Sequence, residues 1–493
     1  MKHSVIAIDQ STSATKIMLF GDKCEMIRRI NIPHRQIYLQ PGWVEHDAEE
    51  IYRNTVKGIT ELLGKENPNA AAYSLAITNQ RETVVIWNKS TGKPIYNAVV
   101  WQCMRGQQFC NRLKELGYDQ MVQEKTGLLI DPYFSASGAK WILDNVEGAR
   151  EASEKGELLF GTIDSWLIWK LTGGKSHVTD YTNASRTLLM NIHSLKWDED
   201  LLDLFTIPQN MMPKLLPCDS IFGETTVDGL FDAPISIAGV LGDSHGALAG
   251  QMCFEEGLGK ATYGTGSSVM VNIGEKFASA PSGLVTSIGF SALGKLFYAF
   301  EGNIHCTGAT IKWLQEKLQL INSPNEAEKL ATNIESNGGV YFVPAFAGLG
   351  APWWQSDCKA IICGMTLGTG REHIVRAALE SIAYQVTDLI NTMTQQASIG
   401  LKEIRVDGGP TRNKFLMQFQ ANCLRVPVNC SDIEEASALG AVIMNGMARK
   451  VWKDFAEVES LRKSRCRIMP ENNAMQMKEL YEGWQKAVKQ LIN

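Results

Sequence analysis

The chain of 493 residues has few features that would form disulfide cross-links or bind a transition metal. Its 11 cysteines are scattered, and no two of them form the CxxC spacing that is typical of zinc sites and redox motifs. An odd, unpatterned set in a large chain is typical of reduced thiols, so the sequence predicts a cytoplasmic protein without a disulfide framework. The eight histidines, His245 among them, show no metal-ligand spacing either.

Long apolar runs and an excess of basic charge are also lacking. No apolar segment approaches the length of a membrane span, and strand-like sequence follows Met1, Lys2 and His3, so neither a transmembrane helix nor a signal peptide is predicted. The 48 Lys and Arg are outnumbered by 53 Asp and Glu, for a net charge of −5. Binding to nucleic acid without sequence preference needs a basic field, so we expect neither nucleic acid nor a membrane as a partner.

The composition, with 44% apolar and 20% charged residues, is that of a globular protein. The length exceeds what one hydrophobic core usually supports and indicates at least two domains. Strand and turn patterns begin again after the stretch from Gly250 to Gly257. We therefore predict an N-terminal domain at 1–250 and a C-terminal domain at 251–493.

Each half contains a hairpin pattern whose turn is rich in glycine and hydroxyl side chains. Apolar runs at 4–8 and 17–20 flank the first turn, and the second turn, 264–268, precedes an apolar run at 269–273. Small residues and free N–H groups suit phosphate binding, although such turns are also common in ordinary hairpins. Neither turn has the GxxxxGK[ST] pattern of a P-loop. The repeated form indicates a weak internal duplication.

Two aspartates stand at the ends of short apolar runs. Asp243 follows the run 237–241 and Gly242, and Asp9 follows the run 4–8. Ligands of open α/β sheets bind beyond the carboxyl ends of strands, where one carboxylate could hold Mg²⁺ and the other could act as a base. Alternatively, Asp243 is only the N-cap of a helix that starts at His245, and Asp9 is a turn residue.

A third cluster consists of Arg81 and Glu82, which follow an apolar run at 74–78, and of Trp101 and Tyr133. An adjacent pair of opposite charges is usually solvated and contributes little. Beside aromatic rings, the same pair could instead exchange hydrogen bonds with a polyhydroxylated ligand that rests on a ring face.

Longer strings of the sequence resemble signatures of the FGGY family of carbohydrate kinases, and within it the glycerol kinases. The strings are Ile77–Thr83, Gly92–Asn97, Val100–Cys103, Asp131–Phe134, Gly161–Trp166, Asp180–Arg186, Pro344–Phe346 and Gly348–Pro352. The resemblance covers nearly the whole chain. It implies an α/β fold of two ribonuclease-H-like domains, of the actin/Hsp70/hexokinase ATPase type, around a central cleft.

The same resemblance implies a function. We expect ATP- and Mg²⁺-dependent phosphorylation of a terminal hydroxyl of a small polyol, first of all glycerol to glycerol 3-phosphate, by a homodimer or homotetramer. The implied roles are catalytic base for Asp243; polyol binding for Arg81, Glu82, Trp101, Tyr133, Asp243 and Ser244; phosphate binding for Thr12, Ser13, Lys16 and Thr265; adenosine binding for Gly308, Lys312, Gly409 and Asn413; and Mg²⁺ binding for Asp9 and Asp243.

Departures from the glycerol kinase pattern leave the substrate open. Lys16 replaces an arginine and Lys312 a glutamine on the nucleotide side, whereas Ser244 replaces a glutamine and Ser268 an aromatic residue on the polyol side. Smaller side chains favour a longer or more polar substrate, such as erythritol, threitol, xylulose or ribulose. A remote alternative is an actin-like ATP-binding protein without kinase activity.

Overall fold

The computed structural model describes residues 3–64, 68–281, 283–355 and 357–492. The strands are β1 (Ser4–Gln10), β2 (Ala14–Phe20), β3 (Met26–Pro33), β4 (Glu45–His46), β5 (Tyr73–Asn79), β6 (Val84–Asn88), β7 (Ala98–Val99), β8 (Leu158–Thr162), β9 (Val178–Asp180), β10 (Met190–Asn191), β11 (Lys196–Trp197), β12 (Lys214–Leu216), β13 (Ile221–Thr225), β14 (Ile235–Gly242), β15 (Leu258–Tyr263), β16 (Ser267–Gly274), β17 (Val285–Ala292), β18 (Lys295–Ile304), β19 (Tyr341–Val343), β20 (Ile361–Cys363), β21 (Glu403–Asp407), β22 (Val428–Cys430) and β23 (Cys466–Ile468).

The helices follow the same chain order. They are α1 (Ala48–Leu63), α2 (Gln107–Glu115), α3 (Asp119–Thr126), α4 (Ser135–Asn145), α5 (Ala149–Glu154), α6 (Ile163–Leu171), α7 (Tyr181–Ala184), α8 (Glu199–Leu204), α9 (Asp243–Gly250), α10 (Gly308–Glu316), α11 (Pro324–Thr332), α12 (Arg371–Ala397), α13 (Lys414–Leu424), α14 (Ala436–Ala448), α15 (Phe455–Glu459) and α16 (Ala474–Ile492). No helix in the described part of the chain is both long and apolar enough to cross a membrane.

The chain divides into two compact units. The first comprises Met1–Met252, Thr286–Tyr298 and Glu435–Arg462, and the second comprises Cys253–Val285, Ala299–Glu434 and Lys463–Asn493. Each unit is built on a mixed sheet that is accompanied by helices, which confirms the predicted α/β class. The domain boundary between residues 250 and 251 stays a prediction.

The central sheet of the first unit has the strand order β13-β14-β5-β1-β2-β3. Strands β1, β2 and β3 pair antiparallel, and β5 and β14 run parallel to β1. An antiparallel meander beside parallel strands is the arrangement expected of a ribonuclease-H-like domain. Because β1, β5 and β14 are parallel, the residues that follow them meet at one edge of the sheet, where a ligand is expected.

The local sequence explains why these elements form. Strands β1 and β5 are buried from their second residue onward, as is typical of parallel strands covered on both faces. Helix α1 begins at the N-cap Asp47, whose side chain accepts a hydrogen bond from the backbone of Glu49, and it ends at Gly64, which has φ of 78°. The apolar face of α1 packs on the sheet through Ile51, Ile59 and other buried residues.

The sheet of the second unit repeats this arrangement. Strand β15 pairs antiparallel with β16 and parallel with β21, which in turn pairs parallel with β22. The order continues on both sides as β18-β16-β15-β21-β22-β23, with residues 299–304 of β18 in this unit. The turn between β15 and β16 therefore stands where the turn between β1 and β2 stands in the first unit, as the internal duplication predicts.

Helix α9 crosses helix α14 at very close range within the first unit. Gly246 and Gly440 face each other, and a Cβ on Gly440 would lie 2.0 Å from the carbonyl oxygen of Gly246. The side chain of Asn445 fixes α14 to the sheet, since its amide donates to the carbonyls of Leu75 and Ala238, both at 2.9 Å. This packing holds α9 against α14, and the first residue of α9 is Asp243.

Candidate active site

The edge beyond β1, β5 and β14 gathers the predicted polyol and base residues of the first unit. Asp243 is the first residue of α9, and Gly242 is the N-cap. The alternative interpretation, in which Asp243 caps a helix that starts at His245, is therefore wrong. His245 is fully buried and forms a hydrogen bond with Ser287 Oγ at 3.0 Å, which indicates a structural role.

The carboxylate of Asp243 is accessible and oriented. Its side chain is 37% exposed, and Arg81 Nε lies 3.1 Å from Oδ1. The same oxygen accepts a hydrogen bond from the backbone N–H of Ser244 at 2.6 Å. Within the described residues these contacts fall on Oδ1, so Oδ2 is the oxygen that can receive a proton from a ligand.

Glu82 is held in a strained conformation beside this carboxylate. Its φ is 63°, a left-handed value that non-glycine residues rarely adopt and that costs about 1–3 kcal/mol. Arg186 Nε donates to Glu82 Oε1 at 2.6 Å, and Ser135 Oγ donates to the Glu82 carbonyl at 2.8 Å. Both ends of the residue are thus fixed by neighbours, as expected where backbone strain serves a site.

Arg186 is a residue of this cluster to which the sequence analysis gave no role. It is almost fully buried, and its guanidinium lies 5.0 Å from the ring centroid of Phe134. The sequence contains a signal for this residue, because Arg186 is the last residue of the string Asp180–Arg186, which resembles the family signature. Nothing in that string indicates that the partner of Arg186 is Glu82, 104 positions earlier.

Trp101 and Tyr133 form an aromatic wall. Their ring centroids are 5.4 Å apart in an edge-to-face arrangement, and both side chains are half-buried. Trp101 Nε1 donates to Thr12 Oγ1 at 3.0 Å. A hydrogen bond within the first unit therefore joins the predicted polyol wall to the predicted first phosphate turn.

The first phosphate turn, residues 11–13, is closed by a hydrogen bond from the Ser11 N–H to the Ala14 carbonyl at 2.9 Å. Lys16 follows on β2, with its ammonium 3.4 Å from Asp9 Oδ2. Burial raises the pKa of Asp9 to about 6, although the Lys16 charge opposes the shift. Burial acts to lower the pKa of Lys16, but the carboxylates of Asp9 and Glu435 outweigh it and the pKa is raised.

The second phosphate turn lies in the second unit, between β15 and β16. The carbonyl of Thr265 accepts hydrogen bonds from the N–H groups of Thr307 and Ala309, both at 3.0 Å. Gly308 packs against the same turn, since a Cβ there would meet the Gly264 carbonyl oxygen at 2.5 Å. The turn is therefore seated on the first turn of α10.

All four predicted adenosine-side residues line one pocket of the second unit. The pocket has a volume of about 500 Å³ and lies among α10, α11, α12 and α13. Gly308 and Lys312 come from α10, whereas Gly409 and Asn413 precede α13. The volume lies within the 300–1,000 Å³ that is typical of small-molecule sites. Asn413 also caps α13, because its side chain accepts a hydrogen bond from the Leu416 N–H at 2.9 Å.

Ser268, where the resemblance predicts an aromatic residue, contacts a buried cation. Lys260 on the neighbouring strand β15 is 1% exposed, and its Nζ donates to Ser268 Oγ at 3.0 Å. A lysine is rarely buried to this extent. A phenylalanine at position 268 could not accept this hydrogen bond.

Models of known protein families match most of the chain. The model of the FGGY family of carbohydrate kinases, N-terminal domain, matches residues 4–250, and that of the C-terminal domain matches residues 259–449. The chain belongs to the FGGY family of carbohydrate kinases.

The FGGY relatives match over the full length. Glycerol kinase 1 of Thermotoga maritima is 50% identical over 489 residues, which cover 99% of each chain. Glycerol kinase of Bacillus subtilis is 47% identical over 490 residues, again 99% of each chain. The crystal structure of Plasmodium falciparum glycerol kinase with ADP is 37% identical and covers 100% of this chain and 99% of that chain, with a TM-score of 0.93.

Proposed function

We propose that this FGGY kinase transfers the γ-phosphate of ATP to a terminal hydroxyl of glycerol and forms glycerol 3-phosphate. The observation that carries the proposal is the cluster of the accessible Asp243 carboxylate, the adjacent Arg81 and the strained Glu82. Full-length similarity to glycerol kinases supports the same reaction.

Asp243 is the base in this proposal. Its Oδ2 accepts the proton of the attacking hydroxyl while Oδ1 stays fixed by Ser244 and Arg81. Loss of that proton makes the substrate oxygen nucleophilic toward the γ-phosphorus. The oxygen forms the new P–O bond as the bond to the β-phosphate oxygen breaks, and ADP leaves.

The polyol is oriented by the residues around the base. Glu82 accepts hydrogen bonds from hydroxyl groups, and Arg81 donates to them. The carbon edge of the polyol rests on the Trp101 and Tyr133 rings. A buried site built to pair with hydroxyls also discriminates against analogues that lack them.

The chain's donor set fits the expected Mg²⁺. Asp9 is a buried carboxylate, and its described ion-pair partner is the flexible Lys16, at 3.4 Å. The negative charge of Asp243 acts on Asp9 and contributes to its raised pKa. Two carboxylates with phosphate oxygens and water make the all-oxygen set that Mg²⁺ prefers. Bound Mg²⁺ supplies charge neutralisation at the phosphates; Asp9 and Asp243 would hold it.

The nucleotide-binding residues of this proposal lie on the two turns, one in each unit, and around the pocket of the second unit. Thr12, Ser13, Lys16 and Thr265 contact the phosphates, while Gly308, Lys312, Gly409 and Asn413 border the adenosine.

We also propose a cytoplasmic location and a homodimeric or homotetrameric state. The resemblance to glycerol kinases supports both. Cell fractionation measures the location, and light scattering measures the oligomeric state.

A kinase for a larger polyol or a ketose is the second candidate. It is favoured by the contact between Lys260 and Ser268, since it places a hydrogen-bonded hydroxyl where a ring is expected. Ser244 adds space next to the base. Such an arrangement suits a substrate with additional hydroxyl groups.

A substrate panel tests the choice. With the purified chain and MgATP, we expect kcat/KM for glycerol to exceed that for erythritol, threitol, xylulose and ribulose by at least about tenfold in a coupled assay of ADP release. The variant Ser268→Phe serves as the control. We expect its kcat/KM for glycerol to be retained and its kcat/KM for the longer substrates to fall further. A larger kcat/KM for any other compound would replace glycerol by that compound.

Loss of the Arg186 support should weaken polyol binding selectively. Arg186→Lys keeps the charge but loses the planar donor to Glu82, so we expect KM for glycerol to rise about tenfold while KM for ATP stays within twofold. The control is Arg35→Lys, at an exposed pair with Glu50. Equal changes in both KM values would show that Arg186 supports only the fold.

A further inference from the structure

One face of the first unit's sheet carries three charged side chains in register. Asp9 on β1 lies directly opposite Lys16 on β2, and Met18, two residues further on, lies opposite Arg29 on β3. Side chains opposite each other, or two residues apart on one strand, share a face. Asp9, Lys16 and Arg29 therefore project from the same face.

A fourth charged group reaches this face from a distant part of the chain. Glu435 immediately precedes helix α14 and accepts hydrogen bonds from Lys16 Nζ at 2.8 Å and from Arg29 Nη1 at 2.7 Å, one on each carboxylate oxygen. Its side chain is only 9% exposed. Burial of a carboxylate is costly unless the charge is paired, and here two cations pair with it.

The Glu435 carboxylate has no role in capping its own helix. Although Glu435 occupies the N-cap position of α14, its side chain forms no capping hydrogen bond. Its described side-chain contacts are directed to β2 and β3 instead. The residue is thus used to hold cations beside the first phosphate turn, not to start a helix.

The Lys16 ammonium lies between two carboxylates, and both determine its position. The ammonium is closer to Glu435, at 2.8 Å, than to Asp9, at 3.4 Å. A lysine ammonium is a point charge on a flexible stem, unlike a planar guanidinium, so its position depends on its partners. Without Glu435, Lys16 would be free to pair with Asp9 alone.

We propose that Glu435 is a positioning residue that holds Lys16 for the phosphates of the nucleotide. Arg29 holds the other oxygen of the same carboxylate and so fixes Glu435. The proposal rests on the proposed kinase function and adds a determinant of nucleotide binding from outside the two phosphate turns. It also explains how a lysine serves at a position where the family resemblance predicts an arginine.

The test is Glu435→Gln, measured by titration calorimetry with ADP and by steady-state kinetics. We expect Kd for ADP and KM for ATP to rise about tenfold, because a charge-assisted contact is lost, while KM for glycerol stays within twofold. Arg29→Gln should change the nucleotide constants in the same direction by less. Arg28→Gln is the matched control, since Arg28 donates to the Leu62 carbonyl and not to Glu435, and it should change neither.

Two results would overturn the proposal. One is a Kd for ADP within twofold of the unmodified chain in Glu435→Gln. The other is an equal rise in KM for ATP and for glycerol together with a lower melting temperature, which a purely structural residue would produce. A chain that binds ADP but transfers no phosphate to any polyol would instead contradict the proposed function, and the calorimetric comparison would still decide the role of Glu435.

Discussion

Replacement of Asp243 by asparagine is expected to lower kcat by roughly 10³-fold or more, since general-base catalysis contributes about 10²–10⁴ and the amide cannot accept the hydroxyl proton. Asparagine has nearly the same shape and can still accept the Ser244 N–H. We therefore expect Kd for ADP to stay within about threefold. Quenched-flow measurement of ADP formation at saturating glycerol gives the rate, and calorimetry gives the affinity.

The control for this substitution is Asp200→Asn, which makes the same chemical change at an exposed ion pair with Lys125. It should leave kcat unchanged, because exposed pairs contribute little. Retention of more than about a tenth of kcat in Asp243→Asn would remove Asp243 as the base.

Gly440→Ala is expected to destabilise the first unit severely. The new Cβ would lie 2.0 Å from the Gly246 carbonyl oxygen, and the clash is with backbone, so no side-chain rotation relieves it. Helices α9 and α14 must separate, and we expect the free energy of unfolding to fall by about 3 kcal/mol or more, at the upper end of the usual cost of overpacking. Because α9 starts at Asp243, the surviving folded fraction should also have a reduced kcat.

Urea unfolding followed by circular dichroism measures this loss. Gly400→Ala is the matched control, since nothing lies within 4 Å of a Cβ there, and it should change stability by less than about 0.5 kcal/mol. Similar midpoints for the two variants would show that the helices can separate without cost and would contradict the packing described above.

Local patterns were sufficient to predict the elements that position the site. Alternating and buried apolar runs predicted the hairpin of β1 and β2 and the strand before Asp243. These signals lie within a few residues of one another, and hydrophobic periodicity determines them. The local pattern did not determine the first residue of α9, because Asp is a common residue both at the N-cap and in the first turn.

Long-range pairings could not be predicted in this way. Glu435 lies 419 positions from Lys16, and Arg186 lies 104 positions from Glu82. A single sequence contains no local signal for such contacts, since each residue taken alone is a typical surface charge. Residues 286–298 and 435–462 belong to the first unit because they pack against segments that are distant in sequence. Their place in that unit could not be predicted from local patterns either.

Strain and substitution also needed the structure. The left-handed conformation of Glu82 has no signature in its residue type, since glycine or asparagine is usual there. The replacement at Ser268 was visible in the sequence, but its hydrogen bond with the buried Lys260 was not. The serine therefore lacks the packing of an aromatic ring but forms a hydrogen bond with Lys260 that a ring could not form.

The most direct test of the account is phosphorus NMR of the purified chain with MgATP, with and without glycerol. We predict that glycerol 3-phosphate and ADP form in equal amounts, and that ADP release without glycerol is at least about 100-fold slower, because a kinase site assembled around its acceptor limits transfer to water. Slow ADP release that is the same in both samples, with no phosphate ester of glycerol, would contradict the account.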